Sequence, residues 1–417
     1  MEISKHAPLT GEIKIPPDKS ITHRAIILGS LSNRNVVVFN CLASADCLST
    51  ISCMQKFGVK IEWSGKLMMI HGVGLRGLKA PKEVLDAGNS GTTLRLLMGL
   101  AAGQPFKTTF TGDASLKKRP LRRVIEPLTK MGAKFSGDKL PLTVTGSKLR
   151  GIRYRTPIAS AQVKSAILLA GLYADDVTII DIPPCRDHTE IMLKACGVRL
   201  DGAILIPPAG YIMPDCTIPN DISSAAYWIV LATLLEGSEL LLKNIGLNET
   251  RTGIIDALAK MGAMIMITNE GEEACEKHGD LIIQSARLRG IEIDAEEIPL
   301  MIDEIPILAV AAAFAEGTTI IRGVGELRVK ESDRLAAIVD EFNKLSPGTY
   351  RAEGDDLIIT GGKPKQFAAC KTYGDHRIAM SLAIMGAAAE GVELDDPDCV
   401  NISYPNFFEQ LGGSLEG

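Results

Sequence analysis

Polar openings followed by apolar helical runs recur about every 70 residues along the chain. They fall at Pro16–Leu31 (PPDKSITHRAIILGSL), Asn89–Leu100 (NSGTTLRLLMGL), Ser160–Leu172, Asn220–Leu235, Asp303–Phe314 and Asp375–Met385. Each is followed by a turn and a β-rich run: NVVVF, KTTF, VTIID, ELLLK, TTIIRG and VELD. A second helix then ends near a glycine, as in MQKFGVKI, LTKMGAKF, LKACGVRL, LAKMGAMI, FNKLSPGTY and FEQLGGSL. A further strand follows in five of the six: KLMMIHG, LPLTVTG, AILIPPA, GDLIIQS and DDLIITG. The sixth stops at Gly417, and Gly11–Ile15 (GEIKI) is expected to fill its place. The pattern predicts six β-α-β-α-β-β units in an α/β chain.

Ala166–Leu172 and Ile305–Phe314 are apolar nearly all round, which predicts buried helices with the sheets outside them. Three units fit in 16–220, and three in 221–417 together with 1–15, so two domains with pseudo-threefold symmetry are expected. Pro16-Pro17 and Pro219-Asn220 are the expected hinges, because proline stiffens a crossing strand. Parallel helices in each half would turn their positive ends to one surface. Two such surfaces facing each other would make an electropositive cleft.

Composition narrows the function. The 417 residues are 46% hydrophobic and 23% charged, as in ordinary globular proteins, with net charge −5. No overall basic field points to nucleic acid or a membrane surface. The opening MEISKHAPLTGEIKI has no apolar signal-peptide core. The longest apolar run, Ile305–Ala315, is too short to span a bilayer and contains Pro306. Nine cysteines form no C-x-x-C pair, so a reducing cytoplasm and no zinc site are expected.

Candidate chemistry sits at the helix openings. Lys19, Ser20 and Arg24 open the first helix, where Asp or Glu would be usual. That inversion suggests an external anion rather than the protein's own carboxylate, the alternative being a solvated basic turn. Asn89, Gly91 and Thr92 open the second helix, as a ligand loop or an N-cap with a flexible turn. Lys117, Lys118, Arg119, Arg122 and Arg123 form a basic cluster, a solvated run or an anion clamp fixed by Pro120. Ser160, Ala161 and Gln162 open the third helix. Arg186 is a candidate anion ligand, while Asp187, Thr189 and Glu190 read as a capping box and His188 is no clear base. Asn220–Trp228 reads as neutral and structural, and Arg251 as a surface residue. Asp303 and Glu304 start an apolar helix, and Arg328, Lys330, Glu331 and Arg334 follow in the same unit. Asp375, His376 and Arg377 open the sixth helix.

Taken together, DKSITHR, GNSGTTLR, KKRP, SAQVKS, RDHTE, IDEIP, RVKESDR and GDHR resemble the 5-enolpyruvylshikimate-3-phosphate synthases of the enolpyruvyl transferase family. They stand in family order and cover essentially the whole chain. The resemblance implies a two-domain inside-out α/β barrel, with the active site in the cleft between domains. It implies transfer of the enolpyruvyl group of phosphoenolpyruvate to the 5-hydroxyl of shikimate 3-phosphate, releasing phosphate, on the route to chorismate and the aromatic amino acids. No metal, cofactor, nucleic acid or membrane is implied, and a cytoplasmic monomer is expected. By motif, Lys19, Ser20, Arg24, Ser160, Gln162, Arg186, Asp303 and Lys330 would hold shikimate 3-phosphate. Lys19, Asn89, Gly91, Arg119, Gln162, Arg334 and Arg377 would hold phosphoenolpyruvate. Asp303 would deprotonate the hydroxyl, Glu331 would protonate the methylene carbon, and Lys19 would serve both substrates.

Charge agrees with this. The two substrates bring roughly −5 to −6, and seven cations can offset them: Lys19, Arg24, Arg119, Arg186, Lys330, Arg334 and Arg377. Four positions depart from the family pattern: Ala161 and Cys185 for serines, Glu326 for an asparagine, and a missing lysine before Tyr404. With Gly91 rather than alanine at the phosphoenolpyruvate site, sensitivity to glyphosate is expected. The sister enzyme using UDP-N-acetylglucosamine would show Lys-Asn where this chain has Lys19-Ser20, and a cysteine between Cys53 and Cys185. A non-catalytic clamp would line its helices with Lys and Arg, whereas these helices are apolar.

Overall fold

The computed structural model describes every residue except 66, 157, 158, 203, 274, 275, 363 and 413–417. Cys275 and the end of the FEQLGGSL run therefore lie outside the described residues. The chain divides into two compact units. One comprises Pro17–Ile218 with Glu272–Glu276; the other, a split unit, comprises Met1–Pro16, Pro219–Gly271 and the chain from Lys277.

In the 17–218 unit the inner helices are Lys19–Ser30, Gly91–Ala102 and Ala161–Gly171. Each begins at a residue whose side chain accepts the amide three positions on: Asp18 from Ile21, Ser90 from Thr93, Ser160 from Val163. Ten of the twelve residues of the first helix are buried, so it has no solvent face. The outer helices are Ala45–Lys56, Arg122–Met131 and His188–Ala195. Arg122–Met131 buries only Val124, Pro127, Leu128 and Met131, one apolar stripe, and ends on left-handed Gly132.

In the split unit the inner helices are Ile222–Leu234, Ile305–Phe314 and His376–Ala388. Trp228 is fully buried there and donates its indole N–H to the Tyr404 hydroxyl at 2.9 Å. Each such side chain contributes about 1.5–3 kcal/mol by leaving water. An outer helix begins as Arg334–Ala337 and passes into a π turn at Ile338–Phe342. Glu341, buried in that turn, accepts from the Lys371 amide and the Tyr373 hydroxyl.

The described strands form six sheets, five of four strands in one recurring order and a sixth of three strands. A central strand pairs parallel with one neighbour and antiparallel with the next, which pairs antiparallel with the edge. In the first sheet Asn35–Phe39 is central, between Cys216–Thr217 and Leu67–His71, with Lys60–Trp63 outside. The parallel strand thus arrives from the far end of the unit. The split unit does likewise, and here the structure corrects the expectation for GEIKI. Thr10–Glu12 joins the fourth sheet, parallel to Glu239–Gly246, and does not complete the sixth. The sixth sheet is completed by Glu2–Ile3, antiparallel to Val392–Leu394. A two-residue strand carries no pattern of its own; its pairing partner decides its place.

The eight described cysteines are buried. Among the described residues no helix is long and apolar enough to cross a membrane, and no His/Cys/Asp/Glu group is placed to hold a metal.

Candidate active site

In the 17–218 unit the helix openings converge through side chains. Arg24 is 4% exposed and its guanidinium is fully engaged: Nε donates to Thr189 Oγ1 (2.7 Å), Nη2 to Ser165 Oγ (2.9 Å), and Nη1 to the Ser20 carbonyl (2.9 Å). Burial pulls its pKa down to about 10, which leaves it charged at neutral pH. Lys19 Nζ lies 3.2 Å from Asp46 Oδ2. The first turn does have an internal carboxylate, because Asp18 accepts the Ile21 amide at 2.8 Å. The expectation that only an external anion serves this helix start is therefore corrected. Asp18 directly precedes Lys19, so the signal was in the sequence.

A second group joins the second and third inner helices. Arg119 Nη2 donates to Asn89 Oδ1 (2.7 Å), and Asn89 Nδ2 donates to Asp113 Oδ2 (2.6 Å). Gln162 accepts from Arg95 Nη1 (2.6 Å) and donates to Thr92 Oγ1 (3.1 Å). A methyl group on Gly91 would stand 2.6 Å from Arg95 Nη1 and 3.3 Å from Arg119 Nη1. Arg95 escaped the sequence reading, although it lies one helical turn beyond Gly91, on the same face.

The capping box expected at 187–190 is not formed. Asp187 precedes the helix without a side-chain cap bond. Thr189 faces Arg24, and Glu190 Oε1 pairs with Lys164 Nζ at 2.5 Å. Cations on neighbouring helices outcompete the local amides for these oxygens. His188 is buried with Nδ1 at 2.7 Å from Glu276 Oε1. Half-buried Arg186 contributes a charge that Arg24 feels. The Cys185 carbonyl accepts from Lys164 at 3.3 Å, and burial raises the Cys185 thiol pKa.

In the split unit the cluster is built around Asp303. Lys330 Nζ and Arg334 Nη1 each stand 3.4 Å from its Oδ1, and Arg377 Nη2 stands 3.6 Å from its Oδ2. Glu331 Oε2 accepts from Arg334 Nη2 at 2.6 Å. Burial alone would lower the Arg334 and Arg377 pKa values; Asp375 beside the first and Asp303 beside the second outweigh it and raise both. Arg251, expected at the surface, is 2% exposed, with Nη2 at 3.0 Å from Asp221 Oδ1 and 2.7 Å from Ser223 Oγ. The Asn220–Trp228 opening is thus part of a charged network, not a neutral one.

The structure therefore groups Lys19, Ser20, Arg24, Asn89, Gly91, Arg119, Ser160, Gln162 and Arg186 on one unit, and Asp303, Lys330, Glu331, Arg334 and Arg377 on the other. The second group sets a carboxylate among three cations with an acid next to it. That suits deprotonation of a hydroxyl and capture of a phosphorylated carboxylate.

A family model for EPSP synthase (3-phosphoshikimate 1-carboxyvinyltransferase) matches residues 3–411. The 3-phosphoshikimate 1-carboxyvinyltransferase of Bacillus pumilus is 48% identical over 99% of this chain and 98% of its own. The structure of EPSP synthase from Acinetobacter baumannii matches with TM-score 0.86 and 39% identity, covering 99% of this chain and 97% of that one. The enolpyruvyl transferase NikO from Streptomyces tendae, 16% identical with TM-score 0.77 over 99% of this chain and 96% of its own, shares the inside-out α/β fold. Matched over nearly its whole length, the chain belongs to the EPSP synthase family.

Proposed function

We propose that this protein transfers the enolpyruvyl group of phosphoenolpyruvate to the 5-hydroxyl of shikimate 3-phosphate, releasing phosphate. The family supports the reaction, and the convergence of Lys330, Arg334 and Arg377 on Asp303 is the observation that carries the assignment of roles. Each cation already has a carboxylate partner, so it is held in place and charged before substrate arrives.

In this reading Lys19, Ser20, Arg24, Ser160, Gln162, Arg186 and Lys330 hold shikimate 3-phosphate. Lys19, Asn89, Gly91, Arg119, Gln162, Arg334 and Arg377 hold phosphoenolpyruvate. Asp303 takes the proton of the 5-hydroxyl as that oxygen bonds to C2 of phosphoenolpyruvate, and Glu331 gives a proton to C3. The tetrahedral adduct then loses a methyl proton to a base; the C2–C3 double bond re-forms and the C2–O bond to phosphate breaks. No electron leaves or enters the pair, so the scheme needs no redox partner. A cytoplasmic monomer suffices for this reaction.

The test is phosphate release from phosphoenolpyruvate with shikimate 3-phosphate or with UDP-N-acetylglucosamine. Release with the shikimate compound alone is expected. Release only with the nucleotide sugar, or with neither, would overturn the reading.

A further inference from the structure

Glu304 is a buried carboxylate that the scheme above leaves unused. Its side chain is 1% exposed. It precedes the Ile305–Phe314 helix in an αR conformation and makes no side-chain cap bond, so it does not do the ordinary work of an acid at a helix start. Its Oε1 instead accepts from the Ser223 hydroxyl and stands 3.7 Å from Arg377 Nη1. Ser223 Oγ in turn accepts from Arg251 Nη2 at 2.7 Å, and the same nitrogen is 3.0 Å from Asp221 Oδ1. Glu304 Oε2 has no hydrogen-bond partner among the described residues.

A carboxylate this deep needs a cation, and Arg377 is the guanidinium beside it. Arg377 also faces Asp303: Nη1 donates to the Asp303 carbonyl (3.2 Å), and Nη2 lies 3.6 Å from the Asp303 carboxylate. Two consecutive acids thus flank one guanidinium. They differ in mounting. Asp303 is partly open, with 15% of its side chain exposed, whereas Glu304 is fixed through Ser223 to the buried Arg251–Asp221 pair. Asp303 loses its charge whenever it takes up a proton, so it cannot be a constant counter-ion for Arg377. Glu304 can.

We propose that Glu304, locked by Ser223 and Arg251, is the positioning residue for Arg377. It keeps the guanidinium aimed at phosphoenolpyruvate through the catalytic cycle and frees the Asp303 carboxylate for the proton. Its unfilled Oε2 is the acceptor that Arg377 gains as phosphoenolpyruvate draws it from Asp303. The proposal rests on the functional reading above.

Steady-state phosphate release by the unaltered protein, Glu304→Gln, Glu304→Asp and Ser223→Ala tests it, with each KM measured separately and melting followed in parallel. Glutamine keeps the shape and an acceptor for Ser223 but removes the charge. It should raise KM for phosphoenolpyruvate about 10-fold or more while leaving KM for shikimate 3-phosphate within about 2-fold. Glu304→Asp should restore part of the loss, and Ser223→Ala should shift the same KM by about 3-fold. A lowered melting temperature with both KM values unmoved would make Glu304 merely structural and overturn the proposal. Should Glu304→Gln fail to fold, an unmoved phosphoenolpyruvate KM in Ser223→Ala overturns it equally. No turnover by the unaltered protein would instead sink the functional reading itself.

Discussion

Arg334 and Asp375 form a two-point ion pair out of reach of water. Nε lies 2.8 Å from Oδ2 and Nη2 lies 3.1 Å from Oδ1, with side chains 1% and 0% exposed. The same carboxylate caps the sixth inner helix by accepting the Arg377 amide at 3.0 Å. One aspartate thereby sets the register of two arginines proposed to hold phosphoenolpyruvate.

Replacing Asp375 by asparagine should cost about 3–5 kcal/mol, because it removes the buried carboxylate that holds the Arg334 guanidinium at two points and leaves it only the more open Glu331 and Asp303. Urea denaturation would read it. Burial alone would raise the Asp375 pKa, but Arg334 outweighs it and holds the value below the ordinary carboxylate range. The pair's contribution is thus present above the unfolded value of about 4 and is lost as pH falls through the lower folded value.

His23 gives a second pH signature at a higher window. It is fully buried with Nδ1 at 2.7 Å from Thr50 Oγ1, and burial, then Lys19 and Arg24, depress its pKa well below the ordinary value. The unfolded chain takes up a proton below about pH 6.5 while the folded chain does not, so stability falls with pH by up to about 1.4 kcal/mol per unit. His23→Asn should flatten that slope between pH 6.5 and 5.5 in denaturation curves, whatever it does to absolute stability.

Gly91→Ala should fold normally, since the atoms its methyl meets are the tips of Arg95 and Arg119. Those tips must move, and phosphoenolpyruvate KM should rise about 10- to 100-fold. The unaltered protein should be inhibited by millimolar glyphosate, and the variant less so. Initial-rate assays check both.

Asp303→Ala should cut kcat about 10²- to 10⁴-fold with an unchanged circular dichroism spectrum. Phosphoenolpyruvate binding should not weaken, because three cations lose a competing carboxylate. Full turnover would remove Asp303 as the base.

Arg251→Met should destabilise by about 3–5 kcal/mol by taking the cation away from buried Asp221. A change under about 1 kcal/mol would show that the pair is dispensable.

The inner helices were legible because their evidence is local: an apolar run such as Ile305–Phe314 behind a polar opening has no solvent face to offer. Sheet closure was not, since Glu2–Ile3 and Cys216–Thr217 are strands only by virtue of distant partners. Arg251 was misread for the same reason. It sits in an ordinary-looking turn, and its burial is decided by Asp221, thirty residues earlier. Thr189 and Glu190 match a capping motif, but Arg24 and Lys164 offer charged donors that a neutral amide cannot rival. Local signals name helix ends well; they do not say which charge on another helix claims an oxygen.

On a ribosome the two units cannot finish together. The 17–218 unit lacks only a five-residue piece, 272–276, once Ile218 has emerged. Thr10–Glu12 must wait for Glu239–Gly246, and Glu2–Ile3 for Val392–Leu394. At about 5–20 residues per second that is tens of seconds of nascent chain with unmated edges. Lys5, Pro8, Lys14, Pro16 and Pro17 in this leader make it a poor template for stray pairing meanwhile. Trimming the first twelve residues would accordingly leave the early unit its core and strip a strand from two sheets of the late one.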